Sequence, residues 1–350
     1  MSSPSATCGP TAPQTLGRCR DLVRPALVHA VRQLHPWHAE MAAFSFGWDA
    51  ADGGTSPGSQ GKGVRQTLAL LAAEAAGAPA EDAVVGAVAV ELIHVFSLLH
   101  DDIMDGDETR RRRATAWKVY GTGPAILVGD ALFALAVRTL AEAPGAHGAA
   151  AVRHLAATLT DLVRGQAEDL LFESRPWTGP EAVRPREYRW MAEHKTGALL
   201  GCAMGLGGVL AGAPSATVDA LAHAGRHLGV AFQAVDDLLG IWGDPEATGK
   251  PVHNDLRRLK KTYPVLAALA SGRPCAERLA VLLGTGDPLD AATARRAADL
   301  VEEAGGREAT LAEAHRHLDG ARRGLESVPL APDALDEILG LLPFLVERSG

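Results

Sequence analysis

Between Ser97 and Arg113 the sequence reads SLLHDDIMDGDETRRRR, an apolar stretch that gives way to five acids and then to four consecutive arginines. In a helix of about 3.6 residues per turn, Asp101 and Asp105 stand one turn apart on one face, with Asp102 beside them. Adjacent carboxylates repel, and the repulsion is relieved by protonation, by a basic partner or by a hard cation that takes oxygen ligands. The same device recurs at Asp236 and Asp237 in AFQAVDDLLGIWGDPEATGKP, again where an apolar run ends. One acidic pair at a helix end is usually a solvated cluster, whereas two on otherwise apolar helices point to one shared metal site. Mg2+ fits such a site, because it keeps several waters and shares substrate phosphate, and the guanidinium forks nearby suit phosphate oxygens.

The elements that must position these groups read as helices throughout. Leu22, Val23, Ala26, Leu27, Ala30, Val31 and Leu34 follow the helical period, and Pro36 closes that first helix. FSFGWDAADGGTSPGSQG is a long loop that delivers Lys62 and Arg65. Alanine- and leucine-rich helices are expected at about 64–77, 82–107, 114–143, 148–173, 185–211 and 215–242, with shorter amphipathic helices from 255 to 347. Strand alternation is absent. The pattern predicts an all-α, single-domain bundle over residues 16–350, its two acidic helix ends facing one another across a central apolar cavity, after a disordered tail at 1–15.

Composition narrows the partners. At 350 residues and 47% hydrophobic content a sizeable core is available, and a formal charge of −8 argues against a nucleic-acid partner. Cys8, Cys19, Cys202 and Cys275 have no paired spacing, as expected of thiols in a reducing compartment. The first residues lack the basic start and apolar core of a signal peptide, and no later stretch holds eighteen apolar residues without polar interruption. A cytoplasmic protein without a membrane span is the expectation.

Taken together, ELIH before the first acids, QGKG near 62, KTGALL at 195, FQAVDD at 232 and GDPEATGKPVHNDLRRLKKTYP resemble the trans-polyprenyl diphosphate synthases over about residues 18–345. In that family two aspartate-rich motifs bridge three Mg2+ to an allylic diphosphate, and the resemblance implies a homodimer with the isoprenoid synthase-like fold. It assigns Asp101, Asp102, Asp105, Asp236 and Asp237 to the metal. Lys62, Arg65 and His94 would hold isopentenyl diphosphate, with Gln233 nearby, and Gln166 would lie near the carbocation. Arg110 and Arg111 would clamp the diphosphates, while Lys195 with Thr196, Lys250 and Lys260 would neutralise the allylic one. Catalysis would rest on Asp101, Asp105, Asp236, Lys195 and Arg110. His100 reads as structural.

Two departures stand out. GKGVRQT replaces the family's usual GKRLRP, so a basic residue is missing and Gln66 stands for proline; and Gly240 occupies the place of the third aspartate of the second motif. In the family a bulky residue five before the first motif goes with short products. Phe96 therefore implies geranylgeranyl diphosphate, with farnesyl diphosphate second, and Ser97 beside it leaves room. Phe133 is the alternative floor. Two other readings use the same features: a class I terpene cyclase, which has no need of a second diphosphate site, and a non-catalytic synthase-like subunit, which has no reason to concentrate repelling carboxylates. FGWDAADG and the uncharged tail also resemble actinobacterial synthases packaged as encapsulin cargo.

Overall fold

The computed structural model describes residues 10–48, 61–110, 112–245 and 251–346, the side chains of 345 and 346 excepted. The fold is all-α, as expected, and the helices start and stop where local chemistry dictates. α1 (Ala12–Arg32) begins four residues earlier than the expected domain start, because Thr11 N–H donates to the Gln14 side chain at 2.8 Å and Pro13 suits the first turn. Pro36 opens a helix rather than closing one. It is the first residue of α2 (Pro36–Phe46), where a missing N–H costs nothing, and His35 Nδ1 accepts from Trp37 N–H. α3 (Val64–Ala75) and α4 (Val84–Met104), the latter led in by a 3-10 turn at Ala80–Ala83, fall where the periodicity places them.

After α4 the chain departs from the helical reading. Two-residue strands β1 (Thr109–Arg110) and β2 (Arg113–Ala114) pair antiparallel, with Arg110 opposite Arg113. The single helix expected at 114–143 is two, α5 (Ala116–Tyr120) and α6 (Thr122–Ala141), broken at Gly121 with its φ of 93°. Then come α7 (Gly148–Ser174), α8 (Pro185–Ala192), a π-turn at Glu193–Gly197, α9 (Ala198–Leu210) and α10 (Ser215–Trp242). The C-terminal helices are α11 (Asn254–Arg257), α12 (Tyr263–Leu269), α13 (Pro274–Leu283), α14 (Ala291–Glu303), α15 (Gly306–Glu326) and α16 (Pro332–Val346).

The chain divides into two compact units. The first, residues 1–155, 202–222 and 324–344, is organised around α4, which packs against α6, α3 and α1. α4 is apolar nearly all round, and Leu92 and Ile93 are fully buried, each contributing about 1.5–3 kcal/mol by leaving water. By length and composition Ala80–Met104 and Thr122–Ala141 could each cross a membrane, although polar residues interrupt both. Inside the unit, 56% of the most apolar window of the first is buried against protein, as befits a core helix. The second unit, residues 156–201, 223–323 and 345–350, has one core where Ile241, Leu256, Val265 and Leu279 meet and another where Phe172, Tyr188, Met191 and Tyr263 meet.

Candidate active site

In the first unit the acids sit on the last turn of α4, and that turn is closed by a glycine. Asp105 is the C-cap, Gly106 follows in the left-handed region at φ 65°, and Asp107 N–H reaches back to Asp102 O at 2.9 Å. Thr115 Oγ1 and Trp117 Nε1 each donate to Asp107 O at 2.9 Å, which fixes the chain as it turns into the strands. Asp101 and Asp105 share a face as expected. Asp102 does not join them: it is 5% exposed, and Arg110 Nε and Nη2 both reach its Oδ1, at 2.8 and 2.7 Å. Burial pushes the Asp102 carboxyl upward, and the guanidinium opposes the shift. Two residues assigned to different ligands, metal and diphosphate, are thus bonded to each other. Arg111 lies outside the described residues.

One turn and two turns below, α4 presents the remaining candidates. The Phe96 ring lies 5.6 Å from Phe133 on α6 and 4.7 Å from His100, so the two alternative floors form one aromatic wall. Ser97 Oγ donates to His94 O at 2.9 Å. Arg65 Nη1 lies 3.3 Å from His94 Nε2, bringing together two of the three residues expected around one diphosphate. The third, Lys62, stands over the Phe344 ring at 4.9 Å. The start of α3 is tied to α4 by Gln66 N–H donating to Glu91 Oε1 at 3.2 Å. Gln66 folds back so that its amide fills the space a side chain at position 63 would need, its Cδ 3.2 Å from such a Cβ. The two departures in GKGVRQT thus lie against each other.

In the second unit, Lys195 and Thr196 ride on the π-turn, a distortion that re-aims side chains and often marks functional sites. Backbone contact holds the turn in place. A Cβ on Gly229 of α10 would run into Gly197 Cα and stand 2.6 Å from Gly197 N, and one on Gly165 of α7 would stand 2.7 Å from Lys195 Cα. Lys195 Nζ pairs with Asp169 Oδ2 at 2.5 Å. Thr196 Oγ1 donates to Gln233 Oε1 at 2.7 Å, and Gln233 Nε2 donates to Asp237 Oδ1 at 3.0 Å. Gln166 is buried one turn before Asp169 on the same helix.

The two aspartates of the second motif part company. Asp236 is exposed, whereas Asp237 is 2% exposed and its carboxylate is enclosed by donors. Tyr188 OH and Tyr263 N–H reach Oδ2 at 2.6 and 2.9 Å, in addition to Gln233 on Oδ1. Burial pushes its carboxyl up to about 7, against the pull of those hydrogen bonds. Asp237, expected among the metal ligands, is turned into the core and taken up by protein donors. Tyr188 and Tyr263 were not among the candidates; KTYP places an aromatic near the lysines, but nothing in it announces a hydrogen bond to Asp237. Lys260 is half-buried just after α11, its N–H bonded to Asp255 O at 2.9 Å, and Lys250 lies outside the described residues.

These carboxylates fit a hard cation. Asp101, Asp105 and Asp236 offer oxygen donors only. Among the described residues no group of three or more His, Cys, Asp or Glu stands where it could hold a metal ion. Mg2+ is a hard cation that takes oxygen ligands, usually one or two carboxylates, and completes its octahedron with water and phosphate.

Comparison with known proteins adds an independent line. A family model described as polyprenyl synthetase matches residues 55–301. The chain is 42% identical over 343 residues to a (2E,6E)-farnesyl diphosphate synthase of Mycobacterium tuberculosis, covering 95% of this chain and 92% of that one. It is 44% identical over 321 residues to a geranylgeranyl diphosphate synthase of the same organism, covering 91% and 90%. A crystal structure of a polyprenyl synthetase from Streptomyces coelicolor superposes with a TM-score of 0.88 at 47% identity, over 95% of this chain and 98% of that chain.

Proposed function

The chain belongs to the polyprenyl synthetase family, and from that premise we propose that it is a Mg2+-dependent prenyltransferase. It condenses isopentenyl diphosphate with an allylic diphosphate to give a short trans-polyprenyl diphosphate, geranylgeranyl diphosphate foremost. Farnesyl diphosphate is the second product reading, since relatives of both kinds match to similar degrees. The observation that carries the synthase reading over a cyclase is the contact of Arg65 with His94 at 3.3 Å. A cyclase ionises one diphosphate and has no use for a second cationic pocket.

Asp101, Asp105 and Asp236 are the carboxylates that would hold the metal, three ions in the family's pattern. When bound, the metal supplies positive charge that stabilises the departing pyrophosphate. Lys195, Lys250, Lys260, Arg110 and Arg111 neutralise the same group, and Thr196 orients it, while Gln233, near isopentenyl diphosphate, joins Thr196 to Asp237 as a buried anchor. Apolar side chains such as Phe96 exclude water while the allylic cation forms, the double bond of isopentenyl diphosphate attacks, and a proton leaves to pyrophosphate. No side-chain nucleophile is needed. The buried thiols Cys19, Cys202 and Cys275, none in a disulfide, support a reducing, cytoplasmic setting. Exposed apolar side chains on α7, Val163 at 59% and, two turns on, Leu170 and Leu171 at 37% and 58%, support a homodimer.

The test is incubation with isopentenyl diphosphate, Mg2+ and each of dimethylallyl, geranyl and farnesyl diphosphate. Elongation to geranylgeranyl diphosphate is the expected outcome. Cyclic hydrocarbons would establish the cyclase, and no turnover with any primer would leave the inactive subunit. Arg65→Ala is expected to raise the apparent KM for isopentenyl diphosphate by about 10-fold to 100-fold, the worth of one charge-assisted hydrogen bond, with little effect on the allylic KM. Equal effects on both substrates would defeat the assignment of separate pockets. Phe96→Ala is expected to lengthen the main product by at least one isoprene unit, read by chromatography of the dephosphorylated alcohols. With the Phe133 ring already against it, an unchanged product would transfer the floor to Phe133.

A further inference from the structure

Of the three residues assigned to isopentenyl diphosphate, Arg65 and His94 ride on α3 and α4 and reach each other, whereas Lys62 precedes α3 and is exposed. No helix of its own sets where its ammonium stands. The half-buried ring of Phe344, near the end of α16, lies against that ammonium, 4.9 Å from Nζ to the ring centre. We infer that Phe344 is a positioning residue for the reaction: the C-terminal helix carries its ring to the loop before α3, where it holds the Lys62 side chain ready for the diphosphate of isopentenyl diphosphate. This rests on the assignment of Lys62 to that substrate.

The ring arrives there by construction. Ala331 N–H, just before α16, donates at 2.8 Å to the carbonyl of Ala75, the last residue of α3, while Phe344 meets Lys62 two residues before the first, so the two helices run antiparallel. Ala331 and Phe344 are thirteen residues apart, as are Lys62 and Ala75, about 20 Å at the rise of a helix. The spans match. Thr15 Oγ1 donates to Glu337 Oε2 at 2.8 Å, and Arg18 joins Glu337, at 3.2 Å, to Glu74 on α3, at 2.7 Å, which sets the rotation of α16 about its axis. Phe344 lies two turns after Glu337 on the same face. Arg20 Nη2 donates to Lys62 O at 3.3 Å, so the backbone of the lysine is held from α1, and the ring acts on the side chain beyond it. A lysine side chain loses much rotamer freedom when a ligand orders it, and a contact that orders it beforehand reduces that loss. A ring covers only one side of an ammonium, whose three donors can still turn to phosphate oxygens. With glycine at 63 where the family has a basic residue, more of the pocket's charge falls to Lys62.

The experiment measures apparent KM for isopentenyl diphosphate and for the allylic primer, kcat and the melting temperature, for the parent, Phe344→Leu, Phe344→Trp, Lys62→Met and Lys62→Met/Phe344→Leu. Phe344→Leu keeps the bulk and loses the π face. It is expected to raise the KM for isopentenyl diphosphate about 2-fold to 5-fold, the worth of an exposed cation–π contact, with kcat, the allylic KM and the melting temperature unchanged. Phe344→Trp is expected to keep the parental value, and in the Lys62→Met background Phe344→Leu is expected to add nothing. A parental KM in Phe344→Leu, or an increase that persists without Lys62, would overturn the inference and leave the proposed function standing. So would a rise in both KM values together with a lowered melting temperature, which marks a packing role. If Lys62→Met itself leaves the KM for isopentenyl diphosphate unchanged, the assignment of Lys62 falls and the inference with it, and a parent without turnover would take both down with the proposed function.

Discussion

Asp101→Ala and Asp236→Ala are expected to lose turnover by about 10³-fold at saturating Mg2+ while melting within a degree or two of the parent. The reasoning is one of location. Asp236 is exposed on α10, and Asp101 is half-exposed on the last turn of α4. Neither is buried, so truncation opens no cavity in a core, and substitutions at accessible positions usually cost far less than those inside. Nearly all the loss should therefore appear in kcat. Steady-state kinetics and thermal melts on the same preparations decide it: near-parental turnover in either variant means that the carboxylate holds no metal, and a collapsed melting temperature means that its role was structural.

The residue next to Asp236 is expected to behave in the opposite way. Asp237→Ala leaves Tyr188 OH, Tyr263 N–H and Gln233 Nε2 without their shared acceptor in a fully enclosed place. An orphaned buried donor costs about 1–3 kcal/mol. Since the carboxyl itself carries a burial penalty, a net loss of about 2–4 kcal/mol is expected. The pH dependence has a definite sign. The folded carboxyl is pushed up to about 7 from 3.8. Between those values the folded state binds the extra proton, so the parent loses stability as pH rises through that window. Asp237→Asn lacks this titration, and its deficit relative to the parent should shrink from about pH 4 to about pH 7 in urea melts. A constant deficit would mean that Asp237 is ionised throughout.

What could be read from the sequence, and what could not, follows from how local each cause is. The long helices were legible because apolar periodicity and capping residues lie within a few positions of one another, and α3, α4, α7 and α10 fall within a few residues of their expected bounds. The acids and cations were legible as types and spacings. Asp101 and Asp105 keep the predicted relation because helix geometry alone sets it. Where Asp102 and Asp237 point was not legible, because a partner eight residues on, Arg110, and others 26 and 49 residues away, Tyr263 and Tyr188, decide it. The strands β1 and β2 are too short to alternate, so no period could betray them. Pro36 misled because a ring that breaks a helix interior is equally suited to a helix's first turn.

The π-turn at Glu193–Gly197 gives chain length itself a meaning. An α-helix turns about 100° per residue, and a π-turn absorbs one residue more than its α-helical neighbours before α9 resumes. Deleting any one residue between Glu193 and Gly197 would favour an unbroken helix and rotate α8 by about that angle relative to α9. Tyr188 would then leave Asp237, and the lysine would leave Asp169, without a single member of the network having changed. Insertions and deletions in this turn are thus as consequential as substitutions at the aspartates, and a redesign that smooths the helix would erase the site while improving its local geometry.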